Sequence, residues 1–503
     1  MSVLHATRLA LACLALLLSA CAAHQHAPQD GADRRFEAAK ASPPQLRAFL
    51  YRMPKGGDLH SHLSGAAYTE TLIDAGAASG VCIDPAKTAV APCGSATRKL
   101  ADALRDSDFR RALIDAWSMR GFVPSSGVSG HDHFFAAFAK FAGAANMGDM
   151  AADVVNRAGR QHMRYLELMV TYQGRAVTGM ARRLRWTGDM AEFHRQLIAA
   201  GLPMLLAHAR SDMDAGEARM RSVLHCDTPQ AEPGCNVTVR WVEQVIRSNP
   251  PGEVFAQMLF GALLSQADPR VVGLNFVAPE DDRVALADYT LHMRMLDYLH
   301  GVMPETNVSL HAGELTLGLV PPEALRFHVR QAVELGHAKR IGHGVDVMYE
   351  IDPLGLLREM ADKRIAVEIN LTSNDQILSV AGDRHPFPVY RAAGVPTLLS
   401  TDDEGVERID RTHELERAAT EFDLDWPTLV ALERNTLEYA FVAGASLWAD
   451  PMAWRKVPAC DGTGVPLPAQ CAAFLRASEK ARLQWEFERD LDRFERESAW
   501  EQR

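Results

Sequence analysis

Beyond residue 21 the chain lacks any apolar run near the roughly 20 residues that a membrane-spanning helix needs. It also lacks an excess of positive charge: 53 Lys and Arg stand against 64 Asp and Glu, a formal net charge of -11. Gripping nucleic acid by its phosphates takes clustered cations, so this balance argues against that function while leaving an uncharged nucleoside open. No pair of cysteines has the Cys-x-x-Cys spacing of a thiolate zinc site. Internal repeats and low-complexity tracts are absent as well. What the chain has is bulk: 503 residues, 47% hydrophobic, enough for one large domain or two to three small ones.

The first 20 residues look like a leader rather than part of the fold. Arg8 supplies a positive end, residues 9–18 are apolar, and Leu18-Ser19-Ala20-Cys21 is similar to a bacterial lipobox. We therefore expect a lipoprotein signal peptide over 1–20 and a product beginning at an acylated Cys21, with a plain signal peptide as the alternative. A tether over 21–35 and a single domain over 36–503 would follow. The protein would be exported to the bacterial periplasm or cell envelope and would touch a membrane only through its lipid. Cysteine usage agrees. Cys13 and Cys21 belong to the leader, and the rest form three close pairs, Cys82 with Cys93, Cys226 with Cys235, and Cys460 with Cys471. Local disulfides in an oxidising compartment are the economical reading.

After the leader, short β-rich runs alternate with helical stretches. Candidate strands are 57–63, 163–170, 203–209, 271–277, 308–312, 340–344, 365–371 and 397–401. Eight strand–helix units predict an α/β chain folded as a (β/α)8 TIM barrel, with its site at the C-terminal ends of the strands. Inserted loops, and extra helices at both ends, would decorate it. The tail from Ala472 spaces Phe474, Leu483, Phe487, Leu491 and Phe494 for one apolar stripe, which packs on the barrel or on a partner. Homo-oligomerisation is therefore left open.

Four segments end apolar runs with metal-binding residue types: Asp58-Leu59-His60-Ser61-His62, His311-Ala312-Gly313-Glu314, Gly342-His343-Gly344 and Ser400-Thr401-Asp402-Asp403. His60 and His62 are two apart, so in a strand both rings share a face and can reach one metal. A strand-end His311 would be a third imidazole, with Glu314 near enough to exchange a proton. Two adjacent acids after an apolar run are costly to bury unless metal or donors pair them. His131 and His133 have the same spacing as His60 and His62, but a Gly/Ser loop before an aromatic helix reads as capping or surface.

Together these segments resemble the adenosine and AMP deaminase family of metal-dependent amidohydrolases. The run from Met53 to Ala66 is similar to its first-strand signature, and the other three follow in the family's order. The likeness spans about residues 53 to 440. The leader and cysteine-bearing insertions are similar to those of the secreted, growth-factor-like adenosine deaminases. The resemblance implies one zinc per chain held by His60, His62, His311 and Asp402. It implies that Glu314 is the proton shuttle to the purine, that His343 orients the attacking hydroxide, and that Asp403 holds the imidazole side of the purine. The expected ligand is a small purine nucleoside. AMP is disfavoured, because no basic cluster accompanies the motifs.

The chain departs from the family at several positions. Ser64 stands where an Asp beside the ribose is usual. Asn275 replaces Asp, Ala278 replaces Gly, and Glu404 replaces a common Pro. Ala278 can still offer its backbone N–H to a ring nitrogen, but Pro279 has none to offer.

Overall fold

The computed structural model describes residues 31–125, 127–461 and 467–500. The expected leader, the lipobox and most of the expected tether lie outside them. Eight parallel strands form the core: β1 (Lys55–His62), β2 (Met163–Val170), β3 (Thr238–Ile246), β4 (Val271–Val277), β5 (Ser309–Ala312), β6 (Arg340–His343), β7 (Ala366–Ile369) and β8 (Thr397–Leu399). They pair as two four-stranded sheets, β1-β2-β3-β4 and β8-β7-β6-β5. Parallel bridges from Leu274 to Val308 and from Ser61 to Asp402 join the sheets at both seams. The result is a closed (β/α)8 barrel. Strands β4 to β8 are buried almost throughout, as a parallel sheet covered by helices on its outer face requires.

Among the helices that matter here are α1 (Gly31–Lys40), α2 (Pro43–Arg52), α3 (Gly130–Phe141), α4 (Met147–Arg160), α5 (Leu205–Val223), α6 (Trp426–Glu438) and α7 (Glu479–Trp500). Helix α3 starts on a capping box between Ser129 and Asp132. Helix α4 starts where Asn146 accepts from the Asp149 N–H, and it turns Ala151, Val154, Val155 and Ala158 inward. No helix of the described residues is long and apolar enough to cross a membrane.

Two expectations need correction. Residues 203–209 are not a strand; they enter a 3-10 turn and then α5. Pro203 suits the first turn of a helix, and Ala209, Met213 and Gly216 are buried at helical spacing. The third barrel strand is 238–246, whose Arg240, Glu243 and Gln244 disguise it. The second concerns residues 31–35, expected in the tether. Helix α1 covers them, and Ala32 is fully buried.

The three cysteine pairs are bonded as expected. The first clips a small antiparallel sheet made of 82–84, 89–91 and 98–99. The tail stripe packs on the barrel's own periphery. Phe494 meets Phe49 of α2 and Trp426 of α6, with ring centroids 5.1 and 5.9 Å apart.

Candidate active site

The four sequence motifs meet at the C-terminal end of the barrel. His60 and His62 lie on β1, His311 on β5 and His343 on β6, while Asp402 and Asp403 follow β8. Four ligand atoms converge. His60 Nε2 lies 3.0 Å from His311 Nε2, and His62 Nε2 lies 3.1 Å from it. Asp402 Oδ1 is 3.2 Å from His62 Nε2 and 3.5 Å from His60 Nε2. Ligands about 2.0–2.1 Å from a tetrahedral zinc sit roughly 3.3 Å from one another, so this spacing fits such an ion. Asp402 Oδ1 is buried with no hydrogen-bond donor. Burial works to lower the pKa of His60, yet the nearby Asp402 and Glu368 carboxylates outweigh it and hold it at about 10. Burial and the neighbouring rings push His62 and His311 the other way, so the positive charge settles on His60 beside the two carboxylates.

The outer ring nitrogens have partners too. His60 Nδ1 meets Glu368 at 2.7 Å, His62 Nδ1 meets the Gln244 amide at 2.7 Å, and His311 Nδ1 meets Asn275 Oδ1 at 2.9 Å. Such partners fix ring orientation in metal sites. Asn275 therefore still serves as the acceptor for His311, without the charge of an Asp. Gln244, Asn275 and Glu368 lie mid-strand among apolar residues, and only the register of the barrel reveals which rings they face.

A chain of hydrogen bonds sets the tautomer of His343. The Phe387 N–H donates to His385 Nδ1, so His385 Nε2 carries the proton and gives it to Asn374 Oδ1 at 3.0 Å. The Asn374 amide then turns its N–H toward His343 Nδ1, at 2.9 Å. Burial pushes His343 down to about 3, so it is neutral with its proton on Nε2. That N–H faces Asp402 Oδ2 and Glu314 Oε1, 3.7 and 3.8 Å away. The flanking glycines act elsewhere. A Cβ on Gly342 would come within 2.5 Å of the His60 ring, and Gly344 leaves room for the Tyr390 hydroxyl.

Glu314 and Asp403 are both buried, and both are pushed well above the ordinary carboxyl range, first by burial and then by the Asp402 charge. Both acids thus favour their protonated forms beside the cluster. Asp403 Oδ1 has no partner of its own. It fits only because residue 65 is Gly, whose Cβ would fall 1.6 Å from that oxygen. The turn bearing Glu314 hangs on Glu280. Its Oε1 accepts from the Gly313 N–H at 3.1 Å and from His328 Nδ1 at 2.6 Å, and its Oε2 accepts from the Glu314 N–H at 2.8 Å. Glu404 is a structural ion-pair partner, holding Arg157 of α4 at 2.8 Å.

Above the cluster lies a cavity of about 380 Å3. Ser64, Ala278, Glu314 and Asp403 line it, as do Phe134, Phe135 and Phe138 from α3. The aromatic wall escaped the sequence reading, because α3 belongs to the insertion between β1 and β2. His131 is not idle surface either: its Nε2 meets Asp281 at 2.9 Å, tying α3 to the loop after β4. Among the described residues no lysine or arginine lines the cavity.

The adenosine deaminase family profile matches residues 198–446. That stretch, just under half of the chain, is similar to adenosine deaminases. An adenosine deaminase of Pectobacterium atrosepticum is 33% identical over 199 residues, which cover 39% of this chain and 54% of that protein. The chain thus spans about half the length of that curated relative. Among solved structures, an Arabidopsis N6-mAMP deaminase superposes with a TM-score of 0.52 at 20% identity, over 81% of this chain and 98% of that one. An amidohydrolase from Burkhoderia ambifaria with bound Zn gives 0.51 at 19%, over 88% and 94%. These likenesses show the barrel fold. The family profile begins beyond β1, so His60 and His62 join the site on geometry rather than on that match.

Proposed function

We propose that the chain hydrolyses adenosine and 2′-deoxyadenosine to inosine and 2′-deoxyinosine, releasing ammonia, and that it holds one zinc ion. The supporting observation is the convergence of three imidazoles and Asp402 beneath a cation-free cavity flanked by two acids that favour their protonated forms. His60, His62, His311 and Asp402 would hold the metal, whose contribution is to bring the pKa of a water to about 7. The side chains do the rest. His343 donates its Nε2–H to the attacking oxygen and orients it, while Asp402 accepts the proton the water gives up. Glu314 gives its proton to N1 as the oxygen adds to C6. The C6–N bond then breaks: the proton on Asp402 leaves with the amine as ammonia, and the new hydroxyl returns its proton to Glu314. Asp403, neutral, donates to N7, and the Ala278 N–H serves the ring from its other edge. Ser64 bonds the ribose. A phosphate would find no cation in this cavity, which favours nucleosides over AMP.

Ammonia release from a panel of adenosine, 2′-deoxyadenosine, AMP, adenine and N6-methyladenosine tests the reading. Turnover of adenosine ahead of AMP and adenine is expected. Turnover confined to another purine would replace adenosine as the substrate, and no release from any would remove the activity.

We propose export on separate grounds. Three disulfides suit an oxidising compartment, and Leu18-Ser19-Ala20-Cys21 would place a lipid on Cys21. Mass spectrometry of the mature N-terminus decides it; an unmodified start elsewhere refutes it.

A further inference from the structure

The opposite end of the barrel carries a second cavity, of about 660 Å3, where β5, β6 and β7 begin. Val333 and Ile365 form part of its apolar wall, and the terminal helix α7 contributes Lys480. Four cations line it; Lys363 is paired with Glu359 at 2.7 Å, and three others are not paired with an acid. Lys339 Nζ donates to Asn307 Oδ1 at 2.6 Å, Arg364 Nη2 to the Tyr439 hydroxyl at 2.6 Å, and Lys480 Nζ to the Glu438 main-chain carbonyl at 2.9 Å. All three acceptors are neutral. Among the described residues none of the three makes an ion pair, in a chain of formal charge -11.

The acids nearby are engaged elsewhere. The Glu438 carboxylate accepts from Ser446 at 2.6 Å and from Gln484 at 2.9 Å. Glu359 holds Lys363 at 2.7 Å and Asp297 holds His337 at 2.8 Å. Glu167 and Glu368 are both spent on Arg340. Three like charges gathered in one concavity repel one another, and burial pushes the Lys480 ammonium down. Glu438 is the one acid on the lining, and against four cations it leaves the cavity with an excess of positive charge.

We infer that this cavity binds a small phosphate-bearing anion, held by Lys339, Arg364 and Lys480. An arginine fork with two ammonium groups suits phosphate oxygens, and hydrogen bonds between ions are the strong ones. The site is separate from the metal cluster. Lys339, just before β6, and His343, at its end, are four residues of extended chain apart, about 13 Å. Its ligand would join α7 to the barrel, so binding stabilises the folded chain by mass action.

Thermal unfolding of the purified protein in inorganic phosphate, in ribose 5-phosphate and in sodium chloride of matched ionic strength tests this. Both phosphate compounds should raise the Tm above the chloride value, the stronger one naming free phosphate or a phosphate ester as the natural kind. The double variant K339Q/R364Q should weaken binding at least about tenfold, since it removes two charge-assisted contacts. Should that variant fail to fold, K480Q alone carries the same comparison. A wild-type Tm equal in phosphate and chloride overturns the inference, as does a phosphate response retained by the variants.

Discussion

Replacing Glu280 with Gln separates a support of the site from the chemistry it supports. Both carboxylate oxygens are in use, by two backbone N–H groups and by His328, and Arg247 lies 3.9 Å away. The side chains of Glu280 and Arg247 are 0% and 1% exposed. A glutamine turns an N–H toward one of those donors and orphans it, which costs about 1–3 kcal/mol. It also strips Arg247 of its countercharge. Removing one partner of a buried pair costs about 3–5 kcal/mol, but Arg247 keeps bonds to the carbonyls of Ala278 and His311. About 3 kcal/mol in all is a fair sum for the two effects. With an unfolding entropy of about 2.1 cal/mol/K for each of roughly 470 residues, that lowers Tm by about 3 °C. The larger effect falls on turnover. The Gly313–Glu314 turn loses the group that holds both of its amides, and a shift near 1 Å costs about a hundredfold. Calorimetry and ammonia release on the same preparation read both. A Tm and a kcat that both match wild type would refute the reasoning.

His311→Ala should lose bound metal and activity together, which metal analysis of the purified variant checks. Glu314→Gln should keep the metal and cut kcat at least about a hundredfold, because an amide has no proton to give N1; unchanged turnover at saturating adenosine would remove its role. Asn374→Asp accepts from His343 Nδ1 and so moves the proton off Nε2; we expect a loss in kcat of about a hundredfold or more with little change in KM, as for a wrong tautomer. Ser64→Asp should lower KM for adenosine and leave kcat nearly unchanged, the mark of binding gained equally in ground and transition states.

The barrel was legible because its strands are short apolar runs that end in chemistry. Where a strand carries polar residues inward, as β3 does with Glu243 and Gln244, the pattern fades and a neighbouring apolar helix start fits a strand better. His60, His62, His311, Glu314, His343, Asp402 and Asp403 could be named because a histidine or a pair of acids after an apolar run is costly without a purpose. Their supports could not. Glu280, Glu368, Gln244 and Asn374 look like ordinary polar residues until the fold brings each to a particular ring or amide. The phenylalanines of α3 carry no such signal, since nothing in an insertion tells which face of a helix meets a cavity in another part of the chain.

Three non-glycine residues around the cavity hold left-handed backbone: His343 at φ 69°, Asp402 at 56° and Ala278 at 82°. Each such placement costs on the order of 1–3 kcal/mol, which the surrounding packing must absorb. For His343 and Asp402 the side chain is the reason for tolerating it. Ala278 offers only a methyl group, where the family usually carries glycine. Selection for heat resistance alone would therefore push all three positions toward glycine, and only at Ala278 could it proceed without erasing a side chain the chemistry uses. Thermal hardening and the proposed chemistry pull in opposite directions at two of these positions, and the third marks slack that a more robust variant of this protein could take up.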